Sequence, residues 1–269
     1  MHRGRRASSA HYTDANASSR LNDIALVISD LHLEREPGPT LDAVLAFLDG
    51  PARAASALYI LGDLFEYWVG DDAPHPAAER LAAALRELEA PVSFIHGNRD
   101  FLVGPDYAAR AGMTLAPEPL HVALPCGPAL LMHGDSLCTD DSEHMAFRQM
   151  VRSEAWQRDF LGQPLEERIA RAEAMREASR HSGKTKAAAI TDVNPEAVAA
   201  TFRDGDVPLL IHGHTHRPAI HDLEVAGQPR QRCVLPAWDE HPGFLEIGPK
   251  GPVLRQLDAT PYPEHLLCG

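Results

Sequence analysis

Five short apolar runs in this chain each end in residues of metal-ligand type, and this recurrence constrains the fold more than any other feature. In chain order the ends read Ser-Asp30-Leu-His32, Gly-Asp63, Gly-Asn98-Arg99-Asp100, His133-Gly-Asp135 and Gly-His214-Thr-His216. The preceding runs are rich in Val, Ile and Leu and read as buried strands. Open α/β sheets gather ligands in the crevice beyond the carboxyl ends of their strands, so these loops are expected to converge. Glycine before Asp63, Asn98 and His214 allows the tight turns and close backbone approach that such a crevice needs. Carboxylate, imidazole and amide donors together suit a divalent ion used for hydrolysis. The lack of cysteine among them argues against a structural zinc site. Any one motif alone is commonplace in turns; five in fixed order at strand ends are not independent accidents.

The runs between these ends alternate in type. Ile24–Ser29, Ala57–Leu61, Val92–His96, Ala129–His133 and Leu209–His212 read as strands. Thr40–Leu48 reads as a helix with Thr40 placed to cap it, and Ala77–Glu89 as an Ala/Leu-rich helix. Cys233–Leu235, Gly243–Ile247 and Pro252–Leu257 read as late strands, the last two joined by a Gly-Pro-Lys-Gly turn. The pattern predicts an α/β chain with a layered sheet core. Residues 1–22 lack an apolar segment and read as a disordered tail, leaving 23–269 as a single domain.

A stretch from about 140 to 195 breaks the alternation and reads as a helical insertion. Its residues 141–191 hold nine basic side chains against eight acidic ones, 9 − 8 = +1, in a chain of net charge −13. That overall charge disfavours nucleic acid as a partner, and a phosphate substrate needs cations or a basic cluster to offset it. No apolar run is long enough to span a membrane, and the irregularly spaced Cys126, Cys138, Cys233 and Cys268 suggest reduced thiols. A cytoplasmic chain is expected. Phe147, Met150, Val151, Trp156, Phe160 and Leu161 recur at helical spacing among the insertion's arginines. Such a segment suits an anionic bilayer surface, so peripheral membrane contact is expected. Core packing is the expectation for Phe65, Tyr67, Trp68 and Cys138, and structural roles for His96 and His212.

The ordered set DLH, GDLFE, GNRD, HGD and GHTH, spanning Asp30 to His216, resembles the calcineurin-like metallophosphoesterases. The resemblance implies an αββα sandwich of two packed sheets flanked by helices, with the insertion as a cap. It implies two divalent cations, most often manganese, activating water for attack on phosphorus. Asp30, His32 and His216 would hold the first cation, Asp63 would bridge, and Asn98, His133 and His214 would hold the second. The longer stretches GDLFEYWVGDD, HGNRDFLVG, HGDSLCTDD and DVNP narrow the resemblance to the UDP-2,3-diacylglucosamine diphosphatases of lipid A biosynthesis. These cut UDP-2,3-diacylglucosamine into the acylated sugar 1-phosphate and UMP. The resemblance places substrate contacts on Asn98, Arg99, Asp141, Ser179, Gly183, Lys186 and His214, with Arg99 and His214 acting in catalysis. Arg99 stands where many metallophosphoesterases carry a histidine. For an anhydride this is chemically sound, because a phosphate monoester leaves as an anion without a proton and a guanidinium clamps phosphoryl oxygens. Gly183 replaces an asparagine usual in that family, and His144 stands where a tyrosine is often found.

Overall fold

A computed structural model describes residues 23–185, 191–239 and 241–267, so the expected N-terminal tail lies outside the described residues. In chain order the elements are β1 (Ala25–Ile28), α1 (Pro39–Asp49), β2 (Ala57–Leu61), α2 (Pro76–Arg86), β3 (Val92–Ile95), α3 (Pro105–Ala111) and β4 (Met113–Leu115). There follow β5 (Leu120–Leu124), β6 (Gly127–Leu131), α4 (Ser142–Val151), α5 (Glu154–Leu161), α6 (Leu165–Thr185) and α7 (Pro195–Gly205). The chain then continues through β7 (Leu209–His212), β8 (Ala219–Val225), β9 (Gln228–Val234), β10 (Gly243–Gly248) and β11 (Gly251–Gln256).

The strands form two sheets, one in the order β11-β10-β1-β2-β3-β4 and the other β5-β6-β7-β9-β8. β1, β2 and β3 pair in parallel, Val27 opposite Tyr59 and Ile60 opposite Phe94, so their carboxyl ends lie at one edge. β6 and β7 are likewise parallel, with Leu131 opposite Ile211. The side-chain period of two then sorts each strand between two layers. Val27, Leu61, Ile95, Leu131, Ile211 and Leu245 pack between the sheets. Leu26, Ile28, Leu58 and Ile60 face α1, α2 and α3 through Val44, Phe47, Leu81 and Tyr107. Leu130 and Leu210 face α7 through Val198 and Phe202. The result is helix, sheet, sheet, helix, the expected αββα layering, and it is why these strands are apolar on both faces.

Two local expectations need correction. Thr40 does not cap α1: Gly38 is the N-cap and Pro39 occupies the first turn, where its missing N–H costs nothing. The late β section is also larger than expected, since β8 and β9 pair over seven residues each with many polar side chains. The Gly248-Pro249-Lys250-Gly251 turn does join β10 to β11, Gly248 pairing with Gly251.

The insertion supplies α4, α5 and α6. Asp141 caps α4 through a bond from His144 N–H, and Ser153 caps α5. Phe160 and Ala172 are buried in the cluster on the helical side of the first sheet.

Candidate metal centre and substrate cavity

All seven sequence-expected ligand residues lie in loops at the carboxyl ends of β1, β2, β3, β6 and β7. Five of them, Asp30, His32, Asp63, His214 and His216, hold left-handed backbone with φ between 49° and 66°. Non-glycine residues adopt this region at a cost and cluster there at functional sites. Backbone bonds across the loops hold the strain: Asp30 N–H donates to Gly62 O at 3.1 Å and His32 N–H to Asp63 O at 2.9 Å. Glycine is required where loops touch. A methyl group on Gly97 would lie 2.1 Å from Asp63 Oδ1, and one on Gly213 would lie 2.2 Å from Asp30 Oδ2.

The donors form two groups, Asp30 with His32 and His216, and Asp63 with His133 and His214, each set of ligand atoms lying within 4.8 Å of one another. In the first, Asp30 Oδ2 accepts from Ser29 Oγ at 2.5 Å and from His214 N–H at 2.9 Å. Asp30 Oδ1 is buried without a hydrogen-bond partner among the described residues. It lies 3.4 Å from His216 Nε2, which is itself 3.2 Å from His32 Nε2. Glu66 Oε2 sits 3.1 Å from His32 Nδ1, close enough for its charge to favour the proton on Nδ1 and leave Nε2 toward the donor group, although the two atoms are not aligned as a hydrogen bond.

In the second group His133 Nδ1 donates to Leu61 O at 2.8 Å, so Nε2 is the nitrogen that would meet a cation in place of its own proton. That nitrogen meets Asn98 Oδ1 at 2.9 Å and Asp63 Oδ1 at 3.7 Å. Lone pairs converging on one point ask for a cation between them. The field says the same: although burial works the other way, Asp63, Asp30, Asp135 and Glu118 push His133 up to about 9. Burial likewise opposes ionisation of Asp30, yet His216, His133 and His32 hold its carboxyl far below the carboxylate range. The donor set therefore fits a pair of divalent cations.

Several residues that hold this geometry were not singled out as site residues from sequence. Asp100 is fully buried and accepts N–H bonds from Gly97 at 2.8 Å, Leu64 at 2.7 Å and Asp63 at 3.3 Å, fastening one ligand loop to another. Glu118 accepts from His133 N–H at 2.8 Å, and Arg148 bridges Glu118 and Asp135 at 2.9 and 2.8 Å. His96 and His212 play structural roles as expected: His96 Nε2 bonds Val103 O, and His212 Nε2 meets Arg232. Phe65 and Trp68 pack with ring centres 4.6 Å apart and tilted by 34°, and both are buried, as expected.

A cavity of about 500 Å³ opens beside the ligands and runs under the insertion. Asn98, Arg99, Asp141, Ser179 and His214 border its polar part together with His144, whose ring centre lies 5.4 Å from that of His214. Phe101, Phe147, Val151, Trp156, Phe160 and Met175 line the rest. Lys186 lies outside the described residues, and Gly183 lies near the end of α6, where only the helical backbone is described.

Two donor groups at the carboxyl edge of a double sheet, with a cavity alongside, define a metal-dependent hydrolase of phosphoric esters or anhydrides. Residues 25–218 match the calcineurin-like phosphoesterase family, and the chain belongs to it. A UDP-2,3-diacylglucosamine hydrolase of Stenotrophomonas maltophilia (strain K279a) is 48% identical over 236 residues, 84% of this chain and 95% of the relative. One from Marinobacter nauticus is 48% identical, covering 85% and 95%, and one from Klebsiella pneumoniae 46% identical, covering 83% and 95%. Among the described residues no helix is long and apolar enough to cross a membrane.

Proposed function

We propose that this chain hydrolyses the pyrophosphate bond of UDP-2,3-diacylglucosamine, releasing 2,3-diacylglucosamine 1-phosphate and UMP. The observation that carries this reading is the cavity that joins metal-ligand residues Asn98 and His214 to an apolar channel under α4, α5 and α6. A soluble nucleotide gives no use for that channel, whereas each buried acyl methylene is worth about 0.8 kcal/mol. The names of the close relatives point the same way.

Asp30, His32 and His216 would hold one cation, Asn98, His133 and His214 the other, with Asp63 between them. The cations, manganese by preference, supply Lewis acidity and activate water. The chain's own residues do the rest. Asn98, His214 and Arg99 face the developing charge on the phosphoryl oxygens. Asp63 Oδ1 holds Arg99 N–H at 2.8 Å, so the guanidinium starts from a fixed backbone. The leaving phosphate monoester departs as an anion, so no general acid is required. Asp141 and Ser179 border the polar end and suit sugar or nucleotide hydroxyls; Lys186 and Gly183 are assigned by resemblance alone.

The insertion also suits reversible contact with an anionic membrane, but not through the arginines first expected. Arg148 and Arg152 point inward, Arg148 to Asp135 and Glu118, Arg152 to the carbonyls of His96 and Gly97. Their guanidinium groups are committed to holding the site. Phe147, Met150 and Leu161 are the large apolar side chains that α4 and α5 expose, with Arg158 exposed nearby in sequence.

The test is a substrate panel with added manganese: UDP-2,3-diacylglucosamine, UDP-glucosamine without acyl chains, and a generic phosphodiester. Strong preference for the diacylated substrate is expected. Equal turnover of the deacylated sugar would overturn the assignment while leaving the metal centre intact.

A further inference from the structure

The cap helix α6 reaches the metal centre through charged contacts as well as apolar ones. Arg168, Ala172 and Arg176 stand four residues apart and share one face of the helix. Arg168 is buried and donates to Val69 O at 2.6 Å and to both carboxylate oxygens of Asp72, at 2.8 and 2.5 Å. Two turns further on, Arg176 Nε donates to Glu66 Oε1, and its Nη2 donates to Glu34 Oε1 at 2.8 Å. Glu66 is buried, and its other oxygen, Oε2, faces His32 Nδ1 at 3.1 Å. One carboxylate thus has two partners, one on the cap and one at the metal site.

The order of these contacts matters because His32 presents Nε2 inward only while Nδ1 is held protonated by an acceptor. Glu66 is the carboxylate placed to act as that acceptor, its Oε2 3.1 Å from Nδ1. A carboxylate with one oxygen pinned by a guanidinium has a fixed plane, which in turn fixes the imidazole plane. Without Arg176, Glu66 keeps its charge but loses the contact that sets its direction.

We propose that Arg176 is a positioning residue that couples the seating of α6 over the cavity to the orientation of His32 through Glu66. The inference rests on the reading of Asp30, His32 and His216 as a cation site. The cap that covers substrate therefore also supports one metal group, through the Arg176–Glu66 contact and not through the separate anchor at Asp72.

The test is calorimetric titration of metal-free, full-length protein with Mn²⁺, with circular dichroism and thermal unfolding of every variant measured first. Glu66→Gln keeps an acceptor oxygen but removes the charge, and is expected to weaken one of the two binding events by roughly 10- to 100-fold. Arg176→Ala is expected to weaken the same event by about tenfold. In combination with Glu66→Gln it should add little, since both act on one chain of contacts. Arg176→Lys keeps the charge without the fork and should fall between; it replaces Arg176→Ala if that variant does not fold. Arg168→Ala breaks the other anchor of α6 without touching Glu66 and should leave both events unchanged. Unchanged Mn²⁺ affinity in the Arg176 variant overturns the coupling, as does an equal loss in Arg168→Ala, which would mark general loosening of the cap. Wild-type protein that binds no Mn²⁺ would instead end the metal reading itself, an outcome separable from either.

Discussion

Asp63 Oδ1 accepts the backbone N–H of Arg99 at 2.8 Å, so a carboxylate of the second donor group also holds the backbone of the residue proposed to clamp phosphate. The two loops approach so closely there that only glycine fits at position 97. Removing the Asp63 carboxylate therefore damages metal binding and substrate orientation together. Asp63→Ala is expected to lower kcat on the order of 10³-fold, the rate equivalent of several kcal/mol of charge stabilisation. Chelation should abolish wild-type activity, and manganese should restore it better than magnesium. Elemental analysis beside steady-state rates checks this; near-normal turnover with EDTA present would refute a metal-dependent reaction.

Arg99 carries the second prediction. If its guanidinium meets charge that grows toward the transition state, Arg99→Ala lowers kcat and kcat/KM alike, by roughly 10²-fold. Arg99→Lys should recover only part of this, because an ammonium cannot clamp two oxygens at once. A variant altered only in KM would place Arg99 in ground-state binding.

Asp100 follows Asn98, the proposed ligand, by two residues, yet its carboxylate is committed to backbone. Its two oxygens accept four backbone N–H groups, from Gly97, Asp63, Leu64 and Phe65. In Asp100→Asn one of those oxygens becomes a donor facing donors. Loss of about 1–3 kcal/mol of stability is expected, in the range for a buried group left unpaired, together with weaker Mn²⁺ binding. Thermal unfolding and calorimetry measure both; full stability would show that the loops hold without it.

Asp100 also marks where the sequence stopped being informative. A strand end announces itself by its apolar run, and the acids and histidines of the two donor groups follow directly on such ends, so they could be read from local pattern. What orients them could not, because those partners are distant in the chain and have ordinary local surroundings. Arg168 reads locally as part of a solvated helix face with acids nearby, yet it is buried against Asp72, 96 residues away. Arg148 and Arg152 looked like membrane-facing charge for the same reason, and turn inward because Asp135 and two bare carbonyls lie beneath them. β8 escaped notice and β9 was read only at its Cys233–Val234 end, because half-exposed strands carry His, Asp, Gln and Arg, which blunts the apolar signal. The cap of α1 was misplaced by one choice: Thr40 is a good cap residue, but Pro39 before it already fits the first turn.

His75 predicts a pH dependence of folding. Burial, reinforced by Arg35, pushes its imidazole down from 6.5 to about 4, and as the N-cap of α2 its Nδ1 accepts Ala78 N–H. The folded protein therefore binds fewer protons than the unfolded chain between these values. Stability contributed by this group is present above pH 6.5 and lost as pH falls toward 4. An asparagine side chain in its place can still accept the capping bond but does not titrate. Between about pH 7.5 and 4.5, the His75→Asn variant should lose roughly 2–3 kcal/mol less stability than wild type. Urea unfolding at the two pH values checks it, and parallel losses would show that His75 protonates freely in the fold.

The proposed membrane contact depends on apolar side chains that the fold leaves uncovered. Met150 and Leu161 are 48% and 42% exposed on α4 and α5. Neither is among the residues that line the cavity, so they separate membrane docking from chemistry better than Phe147, which does line it. Burying two such side chains in the interface contributes on the order of 2–4 kcal/mol, and Arg158 adds about 1 kcal/mol near an anionic surface. Met150→Ser with Leu161→Ser should thus weaken binding to vesicles containing anionic lipid by more than about tenfold. Hydrolysis of detergent-dispersed substrate should stay near wild type. Arg158→Glu alone should weaken vesicle binding mainly at low salt, where the surface potential is least screened. Vesicle flotation across a salt series, run beside the detergent assay, separates the two contributions. If the double variant floats as well as wild type, the exposed face of the cap does not meet lipid, and substrate must reach the cavity without it.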